Sequence, residues 1–486
     1  MKALNRINCS DALLCTERII QFGEGNFLRT FTDWMIARMN HEASFNSSIV
    51  VVKPRPGNSM ETLNCQDGLF FVNLRGLDHG IPYDHTELVD SISRGINPYT
   101  EYDDFLALAE NPDMRFVISN TTEAGITFDP ACQLNDRPAS SYPGKLIQLL
   151  YHRYCHFHGD PSKGFIILPC ELIADNGSKL RDCILKYIDS WGLGVHFSRW
   201  INEHCTICTT LVDRIVPGFP KDNAEDIKNR IGFDDALLVS GEPYHLWIIE
   251  GSREVAAEFP ADKAGLNVKF VNDEKPFHQM KVALLHATHT LMAPIALLAG
   301  IKTVKEAIED DSIGSFIKSV MEHELKTTVA LDREEINRFA SDVLMRFRNP
   351  YIRHELESIM LNAFSKYTAC VLPALKAGVA STGSVPQGLT LGLAALMVAY
   401  RGVNEKGEPI RLSDSEKNMN LTAELWSKDS PRVLVETLLS RSDIWGEDIA
   451  QIPGLEERVV SMVESILTDG IVATVLSHES HTHQPA

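Results

Sequence analysis

A lysine and two histidines, Lys281, His286 and His289, lie in a long apolar stretch that runs from Phe277 to about Leu298. Pro276 before the stretch and Gly300 after it are helix start and stop signals, so the pattern predicts a helix. At about 100° per residue, His286 falls near 140° and His289 near 80° from Lys281, which puts the amine and both imidazoles on one face. Such a group can pass a proton to or from a reacting oxygen and hold the charge that develops there, because burial draws a lysine pKa toward the working pH. The same spacing also fits a core helix whose lysine stretches outward and whose histidines are hydrogen-bonded structural groups. On the first reading these three residues are the catalytic candidates.

The elements that must position them begin with Arg18-Ile-Ile-Gln-Phe-Gly23-Glu-Gly25-Asn-Phe-Leu28-Arg29, an apolar strand entering Gly-x-Gly and then an amphipathic segment over 27–39. A pyrophosphate is cradled by this arrangement, with the helix N-terminus facing it. Leu28 takes the place of the third glycine, and strand-to-helix turns also use glycine for purely conformational reasons. A second strand ends at Lys53, where Lys53, Pro54 and Arg55 replace the acid that holds an adenosine ribose, so this position leaves NAD and NADP both open. Residues 115–125 form a strand ending in small polar groups, as a cofactor-facing strand end would, or a strand with a plain turn.

Residues 66–96 are hairpin-rich, and 102–108, 142–154 and 180–191 have helical spacing. Residues 164–171 form a strand that leads into the turn Asp175-Asn176-Gly177, and 209–217 form another, interrupted by Asp213 and Arg214. Those two are a simple ion pair or face a site. Strands alternating with helices through about residue 220 predict a mostly parallel, doubly wound sheet. From residue 277 onward the spacing is helical throughout, over 303–325, 333–346, 351–377, 387–400, 415–427, 431–439 and 455–467. The expected organisation is α/β, with a Rossmann-like dinucleotide domain at 1–275 and an all-helical domain at 276–486. A small ligand is expected between them. The tail from Ser477 is expected to be disordered.

With 486 residues and 44% hydrophobic content the chain can fill sizeable cores. A net charge of −19 without a basic block argues against nucleic-acid and anionic-membrane partners. The N-terminus lacks a signal-peptide apolar run, and no stretch of 18 or more apolar residues predicts a membrane span, which suggests the cytoplasm. Ten scattered cysteines fit reduced thiols. Cys205 and Cys208 are expected to pack in an apolar run, and His152, Cys155, His156 and His158 show no carboxylate partner. No metal site is expected.

Segments 18–29, 119–126 (Ser-Asn-Thr-Thr-Glu-Ala-Gly-Ile), 168–177, 211–216, 281–289 and 346–352 (Arg-Phe-Arg-Asn-Pro-Tyr-Ile) together resemble the polyol-specific long-chain dehydrogenases related to mannitol dehydrogenase. The resemblance implies hydride transfer between NAD and a small-molecule sugar acid or related polyol. It places Gly23, Gly25 and Asn26 near the pyrophosphate and Thr122 and Glu123 toward the nicotinamide. It puts Asn176, Asp213 and Lys366 near substrate. Because an acidic chain must meet an anion with local charge, Lys366 is the first candidate for a substrate carboxylate, with Arg346 or Arg348 behind it. The family's catalytic pattern is Lys, four residues, Asn, two residues, His; Lys281 and His289 fit, and His286 stands in the Asn place. That exchange also leaves open a catalytically weak, dinucleotide-binding regulatory protein. Oligomeric state is not implied.

Overall fold

The computed structural model describes residues 1–57, 60–78, 80–122 and 124–482. Two compact units divide the chain, Met1–Glu274 and Lys275–Ala486.

Six strands build the main sheet of the N-terminal unit: β1 (Thr16–Phe22), β2 (Ser47–Val52), β3 (Ile92–Ile96), β4 (Phe116–Ser119), β5 (Ile166–Pro169) and β6 (Thr206–Ile207). Every pairing is parallel, in the order β3-β2-β1-β4-β5-β6. The strands are β-branched runs such as Ile49-Val50-Val51-Val52, buried on both faces, as parallel strands covered by helices must be. Alternate residues enter two cores: Ile19, Ile49, Val51 and Phe116 on one face, Ile20, Phe22, Val50 and Val117 on the other. Chain order reverses between β1 and β4, and the crevice at such a switch is where doubly wound folds hold ligands. The helix over residues 26–43 (α1) follows β1, Tyr142–His156 (α2) precedes β5 and Asn176–Ser190 (α3) follows it.

Residues 66–96 do form a hairpin, Phe70–Asp78 with Ile81–Val89, but their last part is β3. Thr209–Asp213 does not continue the parallel sheet. It pairs antiparallel with Leu246–Glu250, which pairs in turn with Val268–Val271. The apolar run Leu246-Trp247-Ile248-Ile249 supplies the partner, so the 209–213 strand is diverted into a sheet of its own.

The named elements of the C-terminal unit are all helical among the described residues. Lys275–Leu298 (α4) is its longest helix, and Arg333–Phe347 (α5), residues 363–382 (α6) and Gln387–Ala399 (α7) follow. A Cβ on Gly392 of α7 would meet Leu291 Cδ2 of α4 at 2.1 Å, so the two helices touch where only glycine fits. Contrary to expectation, α4 is long and apolar enough to cross a membrane by length and composition, but 83% of its apolar window is buried inside the fold. A fully apolar helix that is buried is what a large core requires.

Three expectations are corrected. Residues 303–325 are not one helix, because the extended Asp310 ends Val304–Glu309 and caps a new helix from Asp311. Residues 351–377 are not one helix, because Asn349-Pro350 starts an irregular stretch and Asn362, at φ 51°, breaks the chain again before α6. Residues 477–482 are not disordered: Ile471–Thr482 is a helix anchored by the buried Ile471 and Val475. Residues 483–486 lie outside the described residues. Wider π-helical turns interrupt α1 at Arg29–Asp33, α4 at Val282–His286 and α6 at Tyr367–Val371. Turns of this kind concentrate at functional positions.

Candidate active site

Gly23 ends β1 at φ +131°, where a Cβ would lie 2.9 Å from Leu28 Cδ1 and 3.0 Å from the Asn120 carbonyl oxygen. Glycine is demanded there by the fold, and Leu28 packs on Gly23 where a third fingerprint glycine would otherwise stand. Gly25 is different. Its backbone (φ −71°, ψ 164°) suits any residue, and no heavy atom of the described residues lies within 4 Å of where its Cβ would be. Neither strain nor packing calls for glycine at this helix N-cap. Open space before exposed N–H groups and a positive helix end is what a pyrophosphate needs, so these residues fit a dinucleotide.

Asn26 is exposed beside Gly25, and its side-chain oxygen accepts from Arg29 Nη2 at 2.6 Å. Across the crevice, Glu171 clamps the end of β4. It accepts from the Ser119 hydroxyl at 3.0 Å and from the Thr121 N–H and hydroxyl at 3.0 and 3.1 Å. Burial raises the Glu171 carboxyl above its usual range. Thr122 is exposed just past this clamp, and Glu123 lies outside the described residues. Gly23, Gly25, Asn26 and Thr122 therefore stand at the switch point, on the loops after β1 and β4.

In the C-terminal unit, α4 carries Lys281, His286 and His289. The π-helical turn changes their phase. At roughly 80° per residue over Val282–His286, His286 comes to about 40° and His289 to about −20° from Lys281, closer than uniform α-helix allows. Lys281 is buried, with 8% exposure, while His286 is exposed. His289 stacks 4.3 Å from the Phe347 ring and meets His354 edge-on at 5.0 Å. Its Nε2 is buried with no hydrogen-bond partner among the described residues. Burial holds the His289 imidazole well below its usual pKa, and the neighbouring His354, His286, Arg346 and Lys366 push the same way. It is thus a neutral imidazole among cationic side chains.

Lys366 donates to the Ile359 carbonyl at 2.8 Å, and burial lowers its pKa. Arg346 is buried at the end of α5, whereas Arg348 is exposed. Of the three candidate cations, Lys366 and Arg346 therefore join the His289 group. His354, whose pKa burial lowers and Lys366 lowers further, was not picked out from the sequence. It sits in the irregular stretch two residues past the 346–352 motif, with no periodic signal.

The remaining candidates lie in the N-terminal unit. Asn176 is completely buried. Its amide nitrogen donates to the carbonyls of Pro169, Glu171 and Thr210 at 2.9 to 3.1 Å, and its oxygen accepts from the Thr210 N–H at 2.9 Å. Both amide hydrogens are taken, and the side chain laces the loop after β5 to Thr210. Asp213 is buried at the end of its strand, where it pairs with Leu246. Its neighbour Arg214 donates to the Glu242 carbonyl at 2.8 Å and lies 4.4 Å over the Trp34 ring. Burial pushes the Cys205 and Cys208 thiols up to about 12, so neither is a thiolate. His152 does have a carboxylate partner, Glu110, at 2.8 Å.

Residues 17–263 match the family model of the mannitol dehydrogenase Rossmann domain, and residues 273–467 match that of the mannitol dehydrogenase C-terminal domain. The chain belongs to the mannitol dehydrogenase family. Within that family it is 52% identical to an altronate oxidoreductase of Phocaeicola vulgatus over 476 residues, 98% of this chain and 99% of that one. An altronate oxidoreductase of Bacteroides thetaiotaomicron matches at the same identity and coverage. The mannitol 2-dehydrogenase of Pseudomonas fluorescens, solved as a ternary complex with NAD and D-mannitol, shares the fold at TM-score 0.72 and 21% identity, covering 99% of this chain and 100% of that one.

Proposed function

We propose that the protein is a cytoplasmic, NAD-dependent oxidoreductase that interconverts D-tagaturonate and D-altronate. The observation that carries this reading is 52% identity, across 98% of the chain, to proteins named altronate oxidoreductase. The cations beside His289 agree with it, because a chain of net charge −19 repels an anion at long range and must meet it with local positive charge.

When bound, NADH supplies the hydride. The N-terminal unit binds and orients it: Gly25, Asn26 and the first N–H groups of α1 hold the pyrophosphate, and Thr122 borders the nicotinamide side. Lys281 gives its proton to the ketone oxygen as that oxygen gains charge, and takes it back in the reverse direction. His286 donates an N–H to the same oxygen. His289, kept neutral by burial, orients a sugar hydroxyl without adding charge, and Lys366 and Arg346 meet the carboxylate.

Following NADH oxidation with D-tagaturonate, D-fructuronate and D-fructose side by side tests this. Tagaturonate is expected to turn over fastest, and Lys281→Ala to lower kcat by roughly 10² or more with NADH binding intact. Turnover of none of the three substrates would favour a dinucleotide-binding regulatory protein instead.

A further inference from the structure

In doubly wound folds the residue ending the second strand reads the adenosine ribose, an acid there holding the 2′-hydroxyl of NAD and a base accommodating the 2′-phosphate of NADP. Here that residue is Lys53, directly after β2. Taken alone it does not exclude NADP, because a base can accommodate a 2′-phosphate. The structure supplies what the strand lacks. The Gly23 N–H donates to the Val52 carbonyl at 3.1 Å and so fastens the Gly-x-Gly turn to the end of β2. Glu24, in the middle of that turn, then reaches Lys53 Nζ at 3.0 Å. The lysine side chain is 11% exposed and the glutamate 40%, so the ammonium is tucked in and the carboxylate is outermost. A Cβ on Gly57 would lie 3.4 Å from Lys53 Cε, so Gly57 packs against the lysine stem.

Both partners line a cavity of about 100 Å³ whose apolar walls include Met60, Leu63, Ile92 and Leu237. Arg29 and Asp33 line it too, and Arg29 Nε and Asp33 Oδ2 are buried without a hydrogen-bond partner among the described residues. The site is therefore built, with polar atoms still to be satisfied.

We propose that Glu24 is the residue that selects NAD over NADP. Its carboxylate takes the place of the missing acid on β2, accepting from the ribose hydroxyl. It also neutralises Lys53, the cation that would otherwise draw in a 2′-phosphate. A phosphorylated ribose then meets the acid before the base. This inference rests on the NAD-dependent reading above.

Calorimetric titration of wild type, Glu24→Gln and Lys53→Met with NADH and with NADPH, without sugar, tests it. Wild type is expected to prefer NADH. Glu24→Gln should bind NADPH at least about tenfold more tightly than wild type does, with NADH weakened several-fold, as a like charge is removed and Lys53 released. Lys53→Met should keep NADH binding within about threefold and weaken NADPH further. A folded Glu24→Gln protein whose NADH-to-NADPH preference stays within about twofold of wild type would overturn the proposal alone. So would a Lys53→Met protein that gains NADPH affinity, and this second variant decides the matter if Glu24→Gln does not fold. Wild type binding NADPH as tightly as NADH would overturn the NAD reading and the selection by Glu24 together.

Discussion

His286 carries the sharpest question at the scale of single residues, since it stands where the resemblance places an asparagine. It lies at the end of the π-helical turn of α4 and is exposed, as a residue donating to a substrate oxygen should be. An imidazole keeps an N–H donor, so His286→Asn is expected to retain most of kcat, while His286→Leu should lose about 10², the scale of deleting an oxyanion donor. Steady-state rates of the two variants check this, and equal rates would return His286 to a structural role. The residue types and their order were legible in the sequence. Their alignment was not, because uniform helical steps leave His286 about 140° from Lys281, and the turn that draws it in depends on how the backbone packs.

At the scale of elements, the strand-to-helix turn after β1 and the loop after β5 divide structural from binding demands. Gly23 sits at φ +131° against the Asn120 backbone, whereas Gly25 faces open space. Gly23→Ala should therefore cost on the order of 1–3 kcal/mol of stability. Gly25→Ala should melt like wild type but bind NADH on the order of tenfold more weakly, about one charge-assisted contact. Thermal melts and NADH titrations of both variants separate the two demands. Asn176→Ala gives the complementary result, because its amide holds three carbonyls and the Thr210 N–H in the interior. A loss of about 2–4 kcal/mol in denaturant unfolding is expected, with KM for the sugar acid unchanged. A raised KM at unaltered stability would restore Asn176 to the substrate. From sequence the residues gave only a turn signal, and the resemblance alone placed Asn176 near substrate. Only the fold reveals that Thr210 comes alongside it.

For the whole molecule, the parallel sheet, the helical second unit and the Gly-x-Gly turn were readable because apolar periodicity changes from strand to helix near residue 277. The diverted strand at Thr209–Asp213 was not, since its direction is set by Leu246–Glu250, more than thirty residues later. In the same region His245 is buried, donating to the Pro243 carbonyl and accepting from the Asn267 N–H at 3.0 Å, and burial pushes its pKa down from 6.5 to about 3. The unfolded chain takes up a proton near pH 6.5 that the fold refuses until about pH 3. Stability present above about pH 6.5 is therefore lost as the pH falls toward 3, by a few kcal/mol. His245→Gln can keep both hydrogen bonds without titrating, so its melting temperature should fall less between pH 7 and pH 4 than that of wild type. Parallel pH-dependent melts check this.

Recognition of a sugar acid on a polyol-dehydrogenase fold is assigned to the cations gathered beside His289. Measuring kcat/KM of wild type and Lys366→Met for D-tagaturonate and for D-fructose, with melting temperatures as a control, puts that to the test. A loss of roughly 10² on tagaturonate is expected, as for truncating one partner of a charge pair, with fructose changed by no more than about threefold. Equal losses on the two sugars would show that Lys366 does not read the carboxylate and would contradict the assignment of these cations to a uronate substrate.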